Sequence, residues 1–393
     1  MSTTKNNIRN IGIVAHVDAG KTTLTEQLLY QSGSSRTLGS VDKGTTHTDS
    51  LEIEKQRGIS VKASETDLYW KETAIYLIDT PGHIDFSAEV ERSIGVLDGA
   101  VVVLSSVEGV QPQTEVYFNA LKQLNTPTIF FINKLDRIGS SPYKILKDMK
   151  KLLSNKLIPM QLVSKVDNGF SVQNLFHQLN NVQNLKEITN DSYKLILEDI
   201  INILCDNNEE LLEQYLDDSL TIGTIREQIE LQAKEGKIYP VFFGTAIKGE
   251  GVTELLDGII DYLPGPIDLD DSELSALVYK ISHHKTLGKT AHLKLFSGKI
   301  ESRDEIFNVI KDRNEKITVI KKIINQKQTD IKSAVSGDLV MVSGLDCSTY
   351  DILGSKKYIP KLPSIASTLL TLRIYSKKEE DYIPLVEALN TLQ

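Results

Sequence analysis

Cysteine, long apolar runs and excess positive charge are what this sequence lacks. There are two cysteines in 393 residues, Cys205 and Cys347, too few and too far apart for a disulfide framework or a zinc cluster. Two free thiols in a reducing cytoplasm is the plain reading. The longest apolar runs, Ala100 to Leu104 and Thr128 to Ile132, have the length of strands and fall far short of a membrane-spanning helix. Residues 1–10 are polar and carry no apolar core of a secretory signal. With 44 Lys and Arg against 53 Asp and Glu, the net charge of −9 argues against non-specific binding of DNA or RNA by the whole chain. A local basic contact surface is compatible with that balance. The rest is ordinary for a globular chain, 40% hydrophobic and 25% charged, and the length suits two or three domains.

Up to about Leu263, apolar strands alternate with helical patterns. Ile75 to Ile78 runs into the turn Pro81-Gly82, and Ala100 to Leu104 precedes a helix over Thr114 to Leu124. Thr128 to Ile132 precedes a helix over Tyr143 to Leu153, and Pro240 to Phe243 precedes one over Val252 to Leu263. This order predicts a mostly parallel sheet with helices on both faces and a ligand at the carboxyl ends of the strands. Residues 157–237, polar and rich in Asn, Gln and Glu, read as a helical insertion. Pro264-Gly265-Pro266, with Asp268, Asp270 and Asp271 behind it, reads as a linker. Short segments then follow at Ala276 to Ile281, Thr290 to Phe296, Glu305 to Ile310, Lys316 to Ile324 and Asp338 to Val342. They predict a small antiparallel barrel. From about Ser367, a strand over Thr368 to Ile374 and a helix over Asp381 to Leu392 open a third unit, too little for a core of its own.

Four stretches carry chemistry. The first is Ala15-His16-Val17-Asp18-Ala19-Gly20-Lys21-Thr22-Thr23, between the strand Ile11 to Val14 and a helix with Leu24, Leu28 and Leu29 on one face. Strand, glycine turn and helix are the context of a phosphate-binding loop, whose amides and helix N-terminus hold an anion. Lys21 is placed to reach β- and γ-phosphates, and the Thr22 hydroxyl to sit on Mg²⁺. Ala15 stands at the first glycine position of the usual pattern. The second stretch, Asp79-Thr80-Pro81-Gly82-His83, puts a carboxylate at a strand end for Mg²⁺, a glycine amide near the γ-phosphate and His83 where it can orient the attacking water.

The third stretch, Asn133-Lys134-Leu135-Asp136, follows the Thr128 strand. The Asp136 carboxylate can accept two hydrogen bonds from guanine N1–H and N2–H₂, and mispairing at such a site gives about 10⁴–10⁵-fold rejection. Asn133 contacts the base edge or braces the phosphate loop, and the Lys134 stem covers a ring face. Gly244-Thr245-Ala246, after the last strand of the sheet, offers a backbone N–H to guanine O6 from Thr245 or Ala246. The fourth, Arg57-Gly58-Ile59-Ser60, brings a hydroxyl that completes the Mg²⁺ shell when the γ-phosphate is present, which makes the segment an order–disorder switch.

Together these motifs resemble the translational GTPases. AHVDAGKTT and DTPGH are similar to elongation factor G rather than elongation factor Tu, whose loop usually reads GHVDHGKT. LGSVDKGTTHTDSLEIEKQRGIS and TIFFINKLDRIG look still more like the tetracycline-resistance ribosomal protection proteins. The resemblance runs the length of the chain and implies an α/β P-loop GTPase domain at 1–266 with the insertion at 157–237. A barrel at 267–362 and the beginning of a ferredoxin-like α+β domain at 363–393 complete the implied order. It implies a cytoplasmic, monomeric, ribosome-stimulated GTPase that uses GTP, GDP and Mg²⁺, contacts ribosomal RNA and proteins, and releases tetracycline when whole. The family continues beyond residue 393. Ser60 stands where most of these relatives have Thr, and release factor 3 also commonly reads RGIS. A translocase or release-factor recycler is therefore the alternative within the class. Outside it stands a GTP-sensing binding module with vestigial hydrolysis, against which an intact DTPGH argues.

Other features read plainly. Lys311, Arg313, Lys316, Lys321, Lys322, Lys327 and Lys332 form either a solvated strand face or an RNA contact. His283-His284 reads as a surface strand end, and Glu89 and Glu91 as exposed positions on a helix. The base reading is directly testable: Asp136→Asn should weaken GTP binding and improve xanthosine triphosphate binding, because donor and acceptor are exchanged at the base edge. Equal GTP affinity in both proteins would remove Asp136 as the base reader.

Overall fold

The computed structural model describes residues 5, 7–39, 46, 63–83, 86–166, 169–177, 179, 185, 188, 190–284, 287–361, 374–376 and 378–392. Arg57 to Ser60 lies outside them, as does the strand expected at 368–374 except for its last residue.

The first half of the chain builds strands β1 (Ile8–Ala15), β2 (Ser64–Trp70), β3 (Thr73–Asp79), β4 (Gly99–Ser105), β5 (Thr128–Asn133), β6 (Leu157–Pro159), β7 (Gln161–Val166), β8 (Gly169–Asn174) and β9 (Tyr239–Phe243). Seven of them form one sheet in the order β2-β3-β1-β4-β5-β9-β6, parallel except for β2, which runs antiparallel to β3. Strand side chains alternate between faces, so a sheet covered on both sides needs unbroken apolar runs. The run in β4 shows this: Val101 and Val103 join one core, while Ala100, Val102 and Leu104 join the other. Helices α1 (Lys21–Gln31) and α8 (Val252–Tyr262) cover the first face, and α2 (Ser87–Ile94), α3 (Pro112–Gln123) and α4 (Pro142–Leu152) the second.

The stretch expected to be a helical insertion carries strands as well. β6 joins the main sheet beside β9, and β7 and β8 form a separate hairpin. Helices α5 (Asp191–Cys205), α6 (Glu209–Leu216) and α7 (Ile222–Lys234) follow and extend the first core. In the last residues, α9 (Tyr382–Leu392) is present where a helix was expected.

The second domain is antiparallel: β10 (Ser275–His284), β11 (Gly288–Ser297), β12 (Lys299–Glu301), β13 (Glu305–Asn308), β14 (Arg313–Lys316), β15 (Val319–Ile324), β16 (Lys327–Ile331), β17 (Ser333–Val335), β18 (Leu339–Ser343) and β19 (Ile352–Gly354). Eight of these pair in the order β14-β13-β19-β10-β11-β18-β15-β16, around one apolar core that includes Val278, Leu293, Ile320 and Val342. His283 and His284 are exposed at the end of β10.

The two domains are joined by polar groups inside an apolar seam. Tyr76, Ile78 and Val96 from the first domain pack with Leu277, Tyr279 and Leu339 from the second. Lys294, nearly fully buried, reaches Asp98 at 2.9 Å. Asp67 on β2 accepts the backbone N–H groups of Asn325 at 2.8 Å and Gln326 at 2.6 Å. Those two residues are the whole loop of the β15–β16 hairpin, with φ of 52° and 61°. Two positive φ values are the geometry of a tight hairpin turn, which favours Asn or Gly, so a Gln in the second place carries strain that the Asp67 carboxylate offsets. Lys322 is not on a solvated basic face: it is largely buried, pairs with Asp338 and lies over the Tyr76 ring at 4.8 Å. Lys321 pairs with Asp330, and Arg313 with Asp346, so part of the run is met by nearby carboxylates.

Glu65, also on β2, lies 2.9 Å from His292 and 3.8 Å from Lys280 of the second domain. Burial alone would raise its pKa, but the charges of His292 and Lys280 outweigh burial and hold it at about 2. Because folding lowers this pKa from 4.5, the carboxylate contributes stability above about pH 4.5 and loses it as the pH falls towards 2. Glu65→Gln should therefore narrow the loss of unfolding free energy between pH 6 and pH 3 by about 2 kcal/mol, measured by urea titration. An unchanged loss would mean that Glu65 is not ionised against its partners.

Candidate functional site

The phosphate loop, the Asp79 strand end and the Asn133 stretch meet at the carboxyl edge of the central strands β1, β3 and β5. Gly20 caps α1 in the left-handed conformation at φ 93°, and a Cβ there would lie 2.4 Å from the Asn133 side chain. No side chain caps the helix, so its first N–H groups are left for a ligand, and no carboxylate lies in the first turn. Lys21, at the positive end of α1, would be misplaced on dipole grounds alone. It is 6% exposed and pairs with Asp79, which is 1% exposed. Asp18 adopts φ 61°, in the left-handed region that Asp and Asn enter more readily than other L residues. Thr22 is half-buried beside Lys21. A hydroxyl and a carboxylate are hard oxygen donors of the kind Mg²⁺ takes, so Thr22 and Asp79 suit that ion.

Asn133 braces rather than reads. Its Nδ2 donates to the Ala19 carbonyl at 2.9 Å, and its Oδ1 accepts from the Ala246 N–H at 2.9 Å. The Ala246 amide expected to meet guanine O6 is thus already shared with Asn133. Thr245 is buried and exchanges backbone hydrogen bonds with Glu250. Lys134 takes φ 65°, and Asp136 Oδ1 is buried without a hydrogen bond among the described residues. An acceptor left open in this way suits a base edge that brings two donors.

On the next loop, Thr80 donates its hydroxyl to Ile13 O at 2.9 Å, which fixes the strand end. Gly82 lies against the phosphate loop, its Cβ position 3.8 Å from the Ala15 and His16 carbonyls. His83 is half-buried, its ring 6.0 Å from that of Phe86. Glu89, expected to be exposed, is half-buried and pairs with Arg92 at 2.7 Å.

Sequence reasoning missed several supporting groups. Gln113 Nε2 donates to Gly82 O at 2.8 Å and to the Tyr117 hydroxyl at 2.7 Å. Gln161 Oε1 accepts from the Phe243 N–H at 2.7 Å. Glu108, on the turn after β4, lies between Lys134 and His16. Burial pushes the His16 pKa down, and contact with Glu108 opposes that only in part. The available signal was position: β4 ends at the same sheet edge as β1 and β5, so its following turn had to face the site.

The model of the elongation factor Tu GTP binding domain matches residues 6–265. The chain belongs to that family. The model of elongation factor G domain 2 matches residues 273–351. The chain is 41% identical over 388 residues to the tetracycline resistance protein TetP of Clostridium perfringens, covering 98% of this chain and 57% of TetP. It is 35% identical over 416 residues to elongation factor G of Carsonella ruddii (strain PV), covering 98% of this chain and 61% of that protein. It therefore spans about three-fifths of the length of these curated relatives. A crystal structure of a protein from Thermus thermophilus shares the fold with a TM-score of 0.80 at 23% identity, over 98% of this chain and 60% of the other. The fold expected from the sequence, a GTPase-type parallel domain followed by an antiparallel one, is the one observed.

If Asn133 holds the site together, Asn133→Ala should leave the Ala19 carbonyl and the Ala246 amide unsatisfied. That costs about 1–3 kcal/mol, and GDP affinity should drop about tenfold or more with it. Thermal unfolding and a fluorescence titration read the two effects, and wild-type values in both would show that the bridge does nothing for the site.

Proposed function

We propose that this chain is the nucleotide-hydrolysing part of a ribosome-stimulated GTPase which, in a longer protein, releases tetracycline from the ribosome. The observation that carries the reading is the Asn133 bridge, because it gathers the phosphate loop, the base-reading stretch and the Ala246 loop about one cleft. Lys21 and the first amides of α1 hold the β- and γ-phosphates, with the loop residues Ala15, His16, Val17, Asp18, Ala19, Gly20, Thr22 and Thr23 shaping the cradle. Gly82 brings its N–H to the γ-phosphate. Thr22, Asp79 and Ser60 hold Mg²⁺, which when bound neutralises charge on the phosphate oxygens. His83 orients the attacking water, and Gln113 fixes the backbone that carries it. Asp136 accepts from the base, Lys134 covers its ring face, and Thr245 and Ala246 close the pocket over it.

Two assignments go beyond the chain's own chemistry. Tetracycline release rests on the similarity to TetP, whose name says that it confers tetracycline resistance. Action at the ribosome rests on that similarity together with the likeness to elongation factor G, and we extend it to a cytoplasmic monomer that does not act on DNA. Among the described residues no helix is long and apolar enough to cross a membrane. A translocase is the second reading, favoured by the matching second-domain model.

Lys21→Ala should abolish triphosphate binding, whereas His83→Ala should leave GTP affinity nearly unchanged and lower turnover. Turnover by the chain alone should be slow, since groups supplied by a partner in comparable GTPases are worth about 10³–10⁵-fold. GTP hydrolysis with and without ribosomes checks both statements. Wild-type ribosome-stimulated turnover by His83→Ala would overturn the catalytic assignment. Rescue of a tetracycline-treated translation extract by the longer protein separates drug release from translocation.

A further inference from the structure

The loops after β1, β3, β5 and β9 all have roles in the nucleotide reading, whereas the loop after β4, which lies between those after β1 and β5, has none. The middle loop is rigid. Gly109 turns back on Ser105 with a 2.9 Å backbone hydrogen bond and φ 74°, and the Ser105 hydroxyl accepts from the N–H groups of Val107 and Glu108 at 3.3 Å. Ser106 ties the loop to its neighbour, donating its hydroxyl to the Lys134 carbonyl at 2.9 Å. The turn therefore presents the Glu108 side chain at a fixed place.

That side chain faces both flanking loops at once. Oε1 lies 3.3 Å from Lys134 Nζ, and Oε2 lies 3.5 Å from His16 Nε2. His16 is 4% exposed, and its other nitrogen, Nδ1, is 3.2 Å from the Thr114 hydroxyl. Nε2 is buried and makes no hydrogen bond among the described residues. A movement of about half an ångström would bring it within hydrogen-bond distance of Glu108. Lys134 is long and held at a backbone conformation that few residues accept, so a fixed anion beside its ammonium limits where its stem can lie.

We propose that Glu108 is a positioning residue of the nucleotide site, linking Lys134 of the base-reading loop to His16 of the phosphate loop and slowing nucleotide release. The inference rests on the nucleotide reading above. A half-exposed ion pair has a modest effect by itself, so the expected change is about fivefold.

The test loads the chain with N-methylanthraniloyl-GDP and follows its release into excess GDP by stopped flow. Glu108→Ala should release about fivefold faster than wild type, with the thermal midpoint of the nucleotide-free chain unchanged. Glu108→Gln, which keeps the reach and loses the charge, should fall between them. Lys134→Ala should also release faster, and Glu108→Ala combined with it should add less than the two changes do separately, a coupling that a merely structural Glu108 would not give. Release of Glu108→Ala at the wild-type rate, or full additivity in the double variant, overturns the proposal. Failure of wild type to bind the labelled GDP at all is a different result, and removes the nucleotide reading itself.

Discussion

The Asn133 side chain is a short amide whose nitrogen donates and whose oxygen accepts, and both groups are used across chain distances that no local structure could bridge. It takes the Ala19 carbonyl from the phosphate loop and the Ala246 amide from the loop after the last long strand. Because Gly20 packs against the same amide at a distance a Cβ could not tolerate, loop shape and bracing residue specify each other. The position of Lys21 over Asp79, the backbone course of Lys134 and the buried acceptor on Asp136 all depend on that agreement. A Gln would overshoot, and an Asp would lose the donor to Ala19.

The seam between the domains follows another logic. Buried ions are a poor source of stability unless every charge has its partner, and two sets are matched across the seam: Glu65 with His292 and Lys280, and Asp98 with Lys294. Such contacts tolerate few relative placements of the two domains, because sliding by one residue would leave a charge buried and alone. The seam thus sets orientation more than affinity. In the sequence, β2 comes shortly after the Arg57 to Ser60 stretch expected to respond to the γ-phosphate.

How much of this was legible from the sequence depends on the range of the interaction. The phosphate loop, Asp79 to His83 and Asn133 to Asp136 are contiguous strings at strand ends, and their placement at one sheet edge is local enough to read. β2 was not foreseen because Ser64 to Trp70 lacks a clean apolar alternation: its buried residues are Asp67 and Leu68, and the acid is buried by contacts with residues 258 and 259 positions away. Lys322 was misread for the same reason, since a lysine in a basic run gives no sign that a tyrosine of another domain lies beneath it. Glu108 sits in no motif. Only the strand order, which places β4 between β1 and β5, brings it to the cleft.

The Asn325-Gln326 turn also bears on how the protein avoids its own copies. β2 is the outermost strand of the parallel sheet, and an open strand edge invites a second chain to pair with it and begin aggregation. Here the Tyr69 N–H is taken by the Ser34 hydroxyl, and the Asp67 carboxylate receives the tip of a hairpin from the other domain, which also reaches Ser34 through Gln326. The second domain is therefore a guard on the edge of the first. Separating the two would expose a sticky strand as well as a charged seam, so solubility of the nucleotide domain depends on its neighbour staying in place.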